Sequence, residues 1–208
     1  MAKIGVLGSG TWGTALTIHL AKCGHEVTLW SAFQEEIAAL SETYRHKNLP
    51  GAVIPETVRF TSDTEKACSG MDLLILAVPS IFTRETAAKM RPYVREGQIV
   101  VNVAKGIEED SLKTQTEITE EELPMAEVAA LSGPSHAEEV SIGMPTAVVA
   151  AAHSRKTAMY IQELFMNPRF RVYISPDMKG VEIGGSLKNV IALAAGMADG
   201  LGYGDNTM

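Results

Sequence analysis

The sequence predicts a doubly wound α/β fold with a mainly parallel sheet, and three observations carry that expectation. Short apolar, β-branched runs alternate with longer helical patterns along the chain. Several runs, DLLILAV above all, are apolar at nearly every position, as strands buried on both faces are. A glycine pattern, Gly8-Ser9-Gly10-Thr11-Trp12-Gly13, joins the first run directly to the first helical pattern.

In chain order, KIGVLG (3–8) reads as the first strand and 11–23 as the first helix, with the glycines as the turn between them. EVTLW (26–30) is the second strand, followed by a helix over 33–45; VRFTS (58–62) is the third. DLLILAVP (72–79) is a fourth strand that Pro79 stops, and 81–90 is the helix after it. QIVVNVA (98–104), a helix over 113–121, EVAALSG (127–133), TAVVAAA (146–152) and a helix over 154–165 complete the βαβ progression. A last short strand around Arg171–Ile174 ends at Ser175-Pro176-Asp177, where Ser175 or Asp177 caps a long helix from Met178.

Composition narrows the function classes. At 208 residues the chain holds one main domain and the start of a second, and 46% hydrophobic with 21% charged residues is an ordinary globular balance. The net charge of −7, with no basic run, argues against nucleic acid as a partner. MAKIGVLGSG lacks the order of a secretory signal and no stretch approaches the ~20 apolar residues of a membrane span, so a cytoplasmic location is expected. Cys23 and Cys68 have no cysteine partner at metal-ligand spacing, so neither a disulfide framework nor a metal site is expected.

Chemistry is expected where strands end. Gly8 permits a tight turn, Gly10 lets backbone approach a pyrophosphate, and Gly13 allows close helix–strand packing, which together form a dinucleotide fingerprint of the Rossmann type. Free N–H groups and the dipole at the start of the first helix suit phosphates. The acid that bonds the adenosine ribose belongs at the end of the second strand, but Leu29-Trp30-Ser31-Ala32-Phe33 contains none. NAD and NADP therefore both stay open, and NADPH is expected to be accepted alongside NADH. Asn102-Val103-Ala104-Lys105-Gly106 and Leu131-Ser132-Gly133-Pro134-Ser135-His136-Ala137 leave later strands at the same edge.

Lys188 lies in GGSLKNVIALAAGMADGLGYGDNTM on a helix whose other faces carry Val181, Ile183, Leu187, Val190 and Ile191. A lysine so placed either snorkels to water or projects into a cleft, and the cleft is the expectation. Partly desolvated beside a second cation, it has a lowered pKa and suits proton exchange with a carbonyl oxygen; Lys105 is the expected second cation.

AKGIE, LSGPSHAEEV and GVEIGGSLKNVIALAAGMADGLGYGDNT, with LGSGTWGTAL and NLPGAVIPETVRFTSD, closely resemble the bacterial NAD(P)-dependent glycerol-3-phosphate dehydrogenases over the whole chain. The resemblance implies a Rossmann domain, here 1–177, followed by the start of an all-helical domain, here 178–208. It also implies reversible hydride transfer between sn-glycerol 3-phosphate and dihydroxyacetone phosphate, a phosphorylated triose, feeding phospholipid synthesis. Carried over residue by residue, Lys188 matches the catalytic lysine and Lys105 a second lysine touching cofactor and substrate. Thr11, Trp12 and Ala137 match cofactor contacts, and with Gly8, Ser9, Gly10 and Gly13 of the fingerprint turn they make up the expected cofactor side. Gly133 and Ser135 match the substrate side, and Asp205, Asn206 and Thr207 are expected to bond substrate hydroxyls. Ala32 departs from the histidine or arginine that members often carry, and His136 stands where an aromatic residue is common. An arginine that anchors the substrate phosphate is expected beyond Met208, which makes the chain a fragment of low activity in this reading. The rival readings are a related β-hydroxyacid-type dehydrogenase and a dinucleotide-binding module without turnover. A homodimer is left open.

Overall fold

The computed structural model describes residues 1–133 and 136–204. Eight strands form a single sheet in the order β3-β2-β1-β4-β5-β6-β7-β8. The strands are β1 (Lys3–Leu7), β2 (Glu26–Trp30), β3 (Arg59–Thr61), β4 (Leu73–Leu76), β5 (Ile99–Asn102), β6 (Glu127–Ser132), β7 (Thr146–Ala152) and β8 (Phe170–Ser175). Neighbours pair in parallel except β6 with β7, which run antiparallel. The helices are α1 (Thr11–Lys22), α2 (Gln34–Thr43), α3 (Thr64–Cys68), α4 (Thr83–Met90), α5 (Gln115–Glu122), α6 (Ala137–Ser141), α7 (Arg155–Phe165) and α8 (Met178–Gly200). The short α3 and α6 are additions to the elements read from the sequence; each is too brief to show a helical period.

The apolar runs are explained by burial on two sides. In β4, Leu73 and Ile75 belong to one core cluster and Leu74 and Leu76 to the other, so neither face tolerates a polar residue. The register then brings strand ends together. Leu7 lies opposite Trp30 and Leu76, Leu76 opposite Asn102, and Asn102 opposite Ala130. The segments that follow these parallel strands emerge along one carboxyl edge, where open α/β sheets bind ligands.

α8 reaches that edge by a longer route. Because β7 runs against β6 and β8 runs with β7, β8 ends at Ser175, opposite Ala151, whose partner is Ala130 inside β6. The Asp177 carboxylate accepts from the Gly180 N–H at 2.8 Å and caps the new helix, while Ser175 Oγ accepts from the Asp177 N–H at 3.1 Å and shapes the turn. Glu182, 7% exposed, accepts from the Thr116 backbone N–H at 2.8 Å and from the Thr116 hydroxyl. Lys179 adds an ion pair to Glu117 at 2.9 Å, so the first turns of α8 are tied to the start of α5. Beyond that anchorage the helix emerges from cover: Leu187, Val190, Ile191, Leu193 and Met197 are exposed.

Glu182→Ala leaves the buried Thr116 N–H and hydroxyl without their acceptor, a loss of about 1–3 kcal/mol. Hydrogen exchange is expected to quicken at Thr116 and through the first half of α8, while the amides of β4 and β5 keep their protection. Unchanged exchange at Thr116 would remove Glu182 as the anchor.

Candidate functional site

The turn between β1 and α1 is built by close approach. Gly8 adopts φ +124°, and a Cβ there would sit 2.5 Å from the Ala77 carbonyl oxygen. A Cβ on Gly13 would sit 1.9 Å from the Gly8 oxygen, so α1 packs on the strand end only because the residue is glycine. Gly10 is different: a Cβ there would meet no atom within 4 Å. Its small size serves open space rather than packing. The open space is a cleft of about 400 Å³ whose walls include Gly10, Thr11, Trp12, Pro79, Lys105 and Ala137. A second cleft of about 460 Å³ continues past Gly8, Ser9 and Gly10 to Ser31 and Glu36.

Among the described residues no side chain caps the amino end of α1, and its first turn holds no acidic residue. Its leading N–H groups and positive dipole end therefore face the cleft with no cap from the described residues. A bare Gly10, an uncapped helix end and a long cleft on both sides of the turn fit a dinucleotide with its pyrophosphate at Gly10.

Lys105 follows β5 by a turn that Asn102 organises. The Asn102 amide donates to Thr119 Oγ1 at 3.1 Å and to the Gln115 carbonyl at 3.3 Å, and its oxygen accepts from the Ala104 N–H at 2.8 Å. Just beyond, Glu108 accepts two hydrogen bonds from Arg84, at 2.9 and 2.7 Å, and that guanidinium holds its carboxyl down at about 2. The loop carrying Lys105 is thus pinned on both sides. Lys105 Nζ donates to the Gly133 carbonyl at 3.0 Å. Its pKa is lowered, first by burial and then by the charge of Lys188.

Lys188 is exposed on α8, six residues past the Glu182 anchor. Gly185 makes its approach feasible: a Cβ there would lie 2.4 Å from Ser132 Oγ and 3.8 Å from Lys105 Cγ. The two lysines are close enough for the charge of Lys188 to act on Lys105, the partly buried member of the pair. Gly133 is brought to Lys105. His136 is exposed and pairs with Glu138 at 3.0 Å, and both line the cleft that Lys105 lines. The expectations for Ser135, Asp205, Asn206 and Thr207 fall outside the described residues.

One residue escaped the sequence reading. No acid stands within residues 29–33, yet the Glu36 carboxylate, from the first turn of α2, folds back onto the strand ends. Its Oε2 accepts from Ser9 Oγ at 2.5 Å and from Ser31 Oγ at 2.6 Å. Its signal was an acid five positions after Ser31 at a helix start, a pattern without meaning until α2 is placed.

The family model described as NAD-dependent glycerol-3-phosphate dehydrogenase N-terminus matches residues 3–158, and the one described as the C-terminus matches residues 177–208. The chain is 58% identical to a glycerol-3-phosphate dehydrogenase (NAD(P)+) of Agathobacter rectalis, covering 100% of this chain and 62% of that relative. It is 54% identical to one of Fusobacterium nucleatum, covering 100% and 63%. Among solved structures, the glycerol-3-phosphate dehydrogenase of Coxiella burnetii superposes with a TM-score of 0.89 at 34% identity, covering 99% of this chain and 63% of that one. The chain thus spans less than two thirds of the length of these relatives.

Two measurements check the site. Gly10→Ala is expected to keep the melting temperature while weakening NADH binding, whereas Gly13→Ala lowers both, because only the second Cβ collides with backbone. Equal loss of stability in both variants would contradict the open side of Gly10. Lys188→Met removes a neighbouring positive charge, so the Lys105 pKa is expected to rise toward the ordinary lysine value, though burial still holds it below. The Lys105 titration followed by NMR decides this, and an unmoved or lowered pKa would separate the two lysines.

Proposed function

This chain belongs to the NAD-dependent glycerol-3-phosphate dehydrogenase family, and from that membership we propose that it binds NAD or NADP and takes part in reversible hydride transfer between sn-glycerol 3-phosphate and dihydroxyacetone phosphate. Residues 1–177 form the dinucleotide-binding domain in this reading, and 178–208 open a helical substrate domain. One observation carries the proposal: a partly buried lysine, its pKa depressed by burial and by a second lysine, stands on the wall of the cleft that contains Gly10.

The division of labour follows from those positions. When bound, the nicotinamide supplies or accepts the hydride at the substrate carbon. In the reducing direction the Lys188 ammonium gives a proton to the carbonyl oxygen as the ketone becomes an alcohol, and in the oxidising direction the neutral amine takes it back. Lys105 stabilises the negative charge that gathers on that oxygen, and its partial burial strengthens the interaction relative to water. The Gly133 carbonyl holds the Lys105 ammonium in place at 3.0 Å. Thr11, Trp12 and Ala137 border the dinucleotide, while Ser135, Asp205, Asn206 and Thr207 are assigned to the substrate on the strength of the family's sequence pattern. No helix among the described residues is long and apolar enough to cross a membrane. The free thiols of Cys23 and Cys68 suit the reducing cytoplasm, the compartment of this proposal.

The decisive assay adds dihydroxyacetone phosphate to the protein with NADH under single-turnover conditions and follows the reduced nicotinamide absorbance. Loss of that absorbance is expected. A fluorescence change on binding NADH with no oxidation would leave a binding module and overturn the enzymatic reading. Lys188→Ala is expected to slow the oxidation by about a hundredfold or more while leaving NADH affinity nearly unchanged, since proton transfer and not dinucleotide binding is its task.

A further inference from the structure

The cleft that passes Gly10 ends at a carboxylate. Glu36 is partly buried, and both hydroxyls that reach it, from Ser9 and Ser31, bond the same oxygen, Oε2. No hydrogen bond from the described residues reaches Oε1. Ser9 lies between the two glycines of the turn and Ser31 directly follows β2, so the carboxylate is locked where a dinucleotide's adenosine ribose comes closest to the strand ends.

The surrounding charges do not reverse its effect. The other charged residues lining the same cleft are Glu85 and Lys89, which pair with each other at 2.6 Å. Arg45 and Lys47, the cations that a 2′-phosphate would seek, line a separate hollow of about 660 Å³. Glu36 is a wall of both spaces, whereas neither cation lines the cleft. His46, beside them, is buried, and burial lowers its pKa, so it does not bring a compensating charge at neutral pH. Ser9 and Ser31, the nearby neutral donors, are committed to Glu36.

We infer that Glu36 sets the cofactor preference of this chain: Oε1 accepts the ribose 2′-hydroxyl of NAD(H), and the fixed negative charge disfavours the 2′-phosphate of NADP(H). The inference rests on the dinucleotide-binding reading above. It assigns the discrimination to a helix residue steered by two serines. The acid at the strand end that usually performs this task is absent here. NADPH still binds, but less tightly.

Equilibrium titration of the protein with NADH and with NADPH, read by fluorescence, tests it without any turnover. The expected result is NADH affinity higher by about tenfold or more, corresponding to 1.4 kcal/mol. Raising the salt concentration is expected to shrink the gap, because the repulsion is partly screened. Glu36→Gln keeps the shape and an acceptor for the serines while removing the charge. It is expected to tighten NADPH, weaken NADH and bring the two dissociation constants to within a few-fold. Equal affinities in the unaltered protein, or an equal shift of both constants in Glu36→Gln, would overturn the role of Glu36 and leave dinucleotide binding standing. Failure of both nucleotides to bind the unaltered protein would overturn the reading beneath it.

Discussion

The contact on which the rest depends is the passage of α1 over the Gly8 carbonyl at Gly13. No side chain fits between them, since a Cβ at Gly13 would come within 1.9 Å of the Gly8 oxygen. That approach seats the amino end of α1 at the carboxyl edge of the sheet and leaves Gly10 facing open space. It also brings Ser9 to where Glu36 meets it. A turn looser by the width of a methyl group would shift the helix dipole, the cleft wall and the carboxylate's partner at once.

α5 plays a similar organising part at the other end of the site. It receives the Asn102 amide through Thr119 and the Gln115 carbonyl, and it donates from Thr116 to Glu182. The turn bearing Lys105 and the helix bearing Lys188 are therefore both measured from one short helix. Its capping box, Thr114 with Glu117, fixes its start, and Glu117 also takes the ion pair from Lys179. Two like charges held near each other are costly, and hydrogen bonds on α5 help to hold each carrier in place.

Much of this was legible in the sequence because the decisive features are local. The glycine turn is six consecutive residues whose roles follow from size and conformation alone. The strands announced themselves through runs that only a doubly covered sheet requires. The reversed direction of β7 was not legible, because TAVVAAA is apolar on both faces whichever way it runs. The structure buries only Met178 and Glu182 along the long helix, and apolar spacing alone cannot say which neighbours cover a face. That burial and a neighbouring charge lower the Lys105 pKa was not legible either, since desolvation belongs to the environment. Glu36 was passed over because its meaning depends on the path of the chain between β2 and α2.

The distance from Glu182 to Lys188 has a consequence of helical phase. Six residues separate the side chain that registers α8 against α5 from the one that faces Lys105. Each residue of an α-helix advances the azimuth by about 100° and the axis by about 1.5 Å. A single insertion or deletion in that interval rotates the ammonium away by more than a quarter of a circle while barely changing its height. The interval therefore works as an indexing gear with fixed tooth count: side chains within it are free to vary wherever they face water, but its length is not. Downstream of Lys188 the same rigid rotor carries the rest of α8, so the angular position of every later residue on it is set by the contacts near its start, the Glu182 carboxylate foremost.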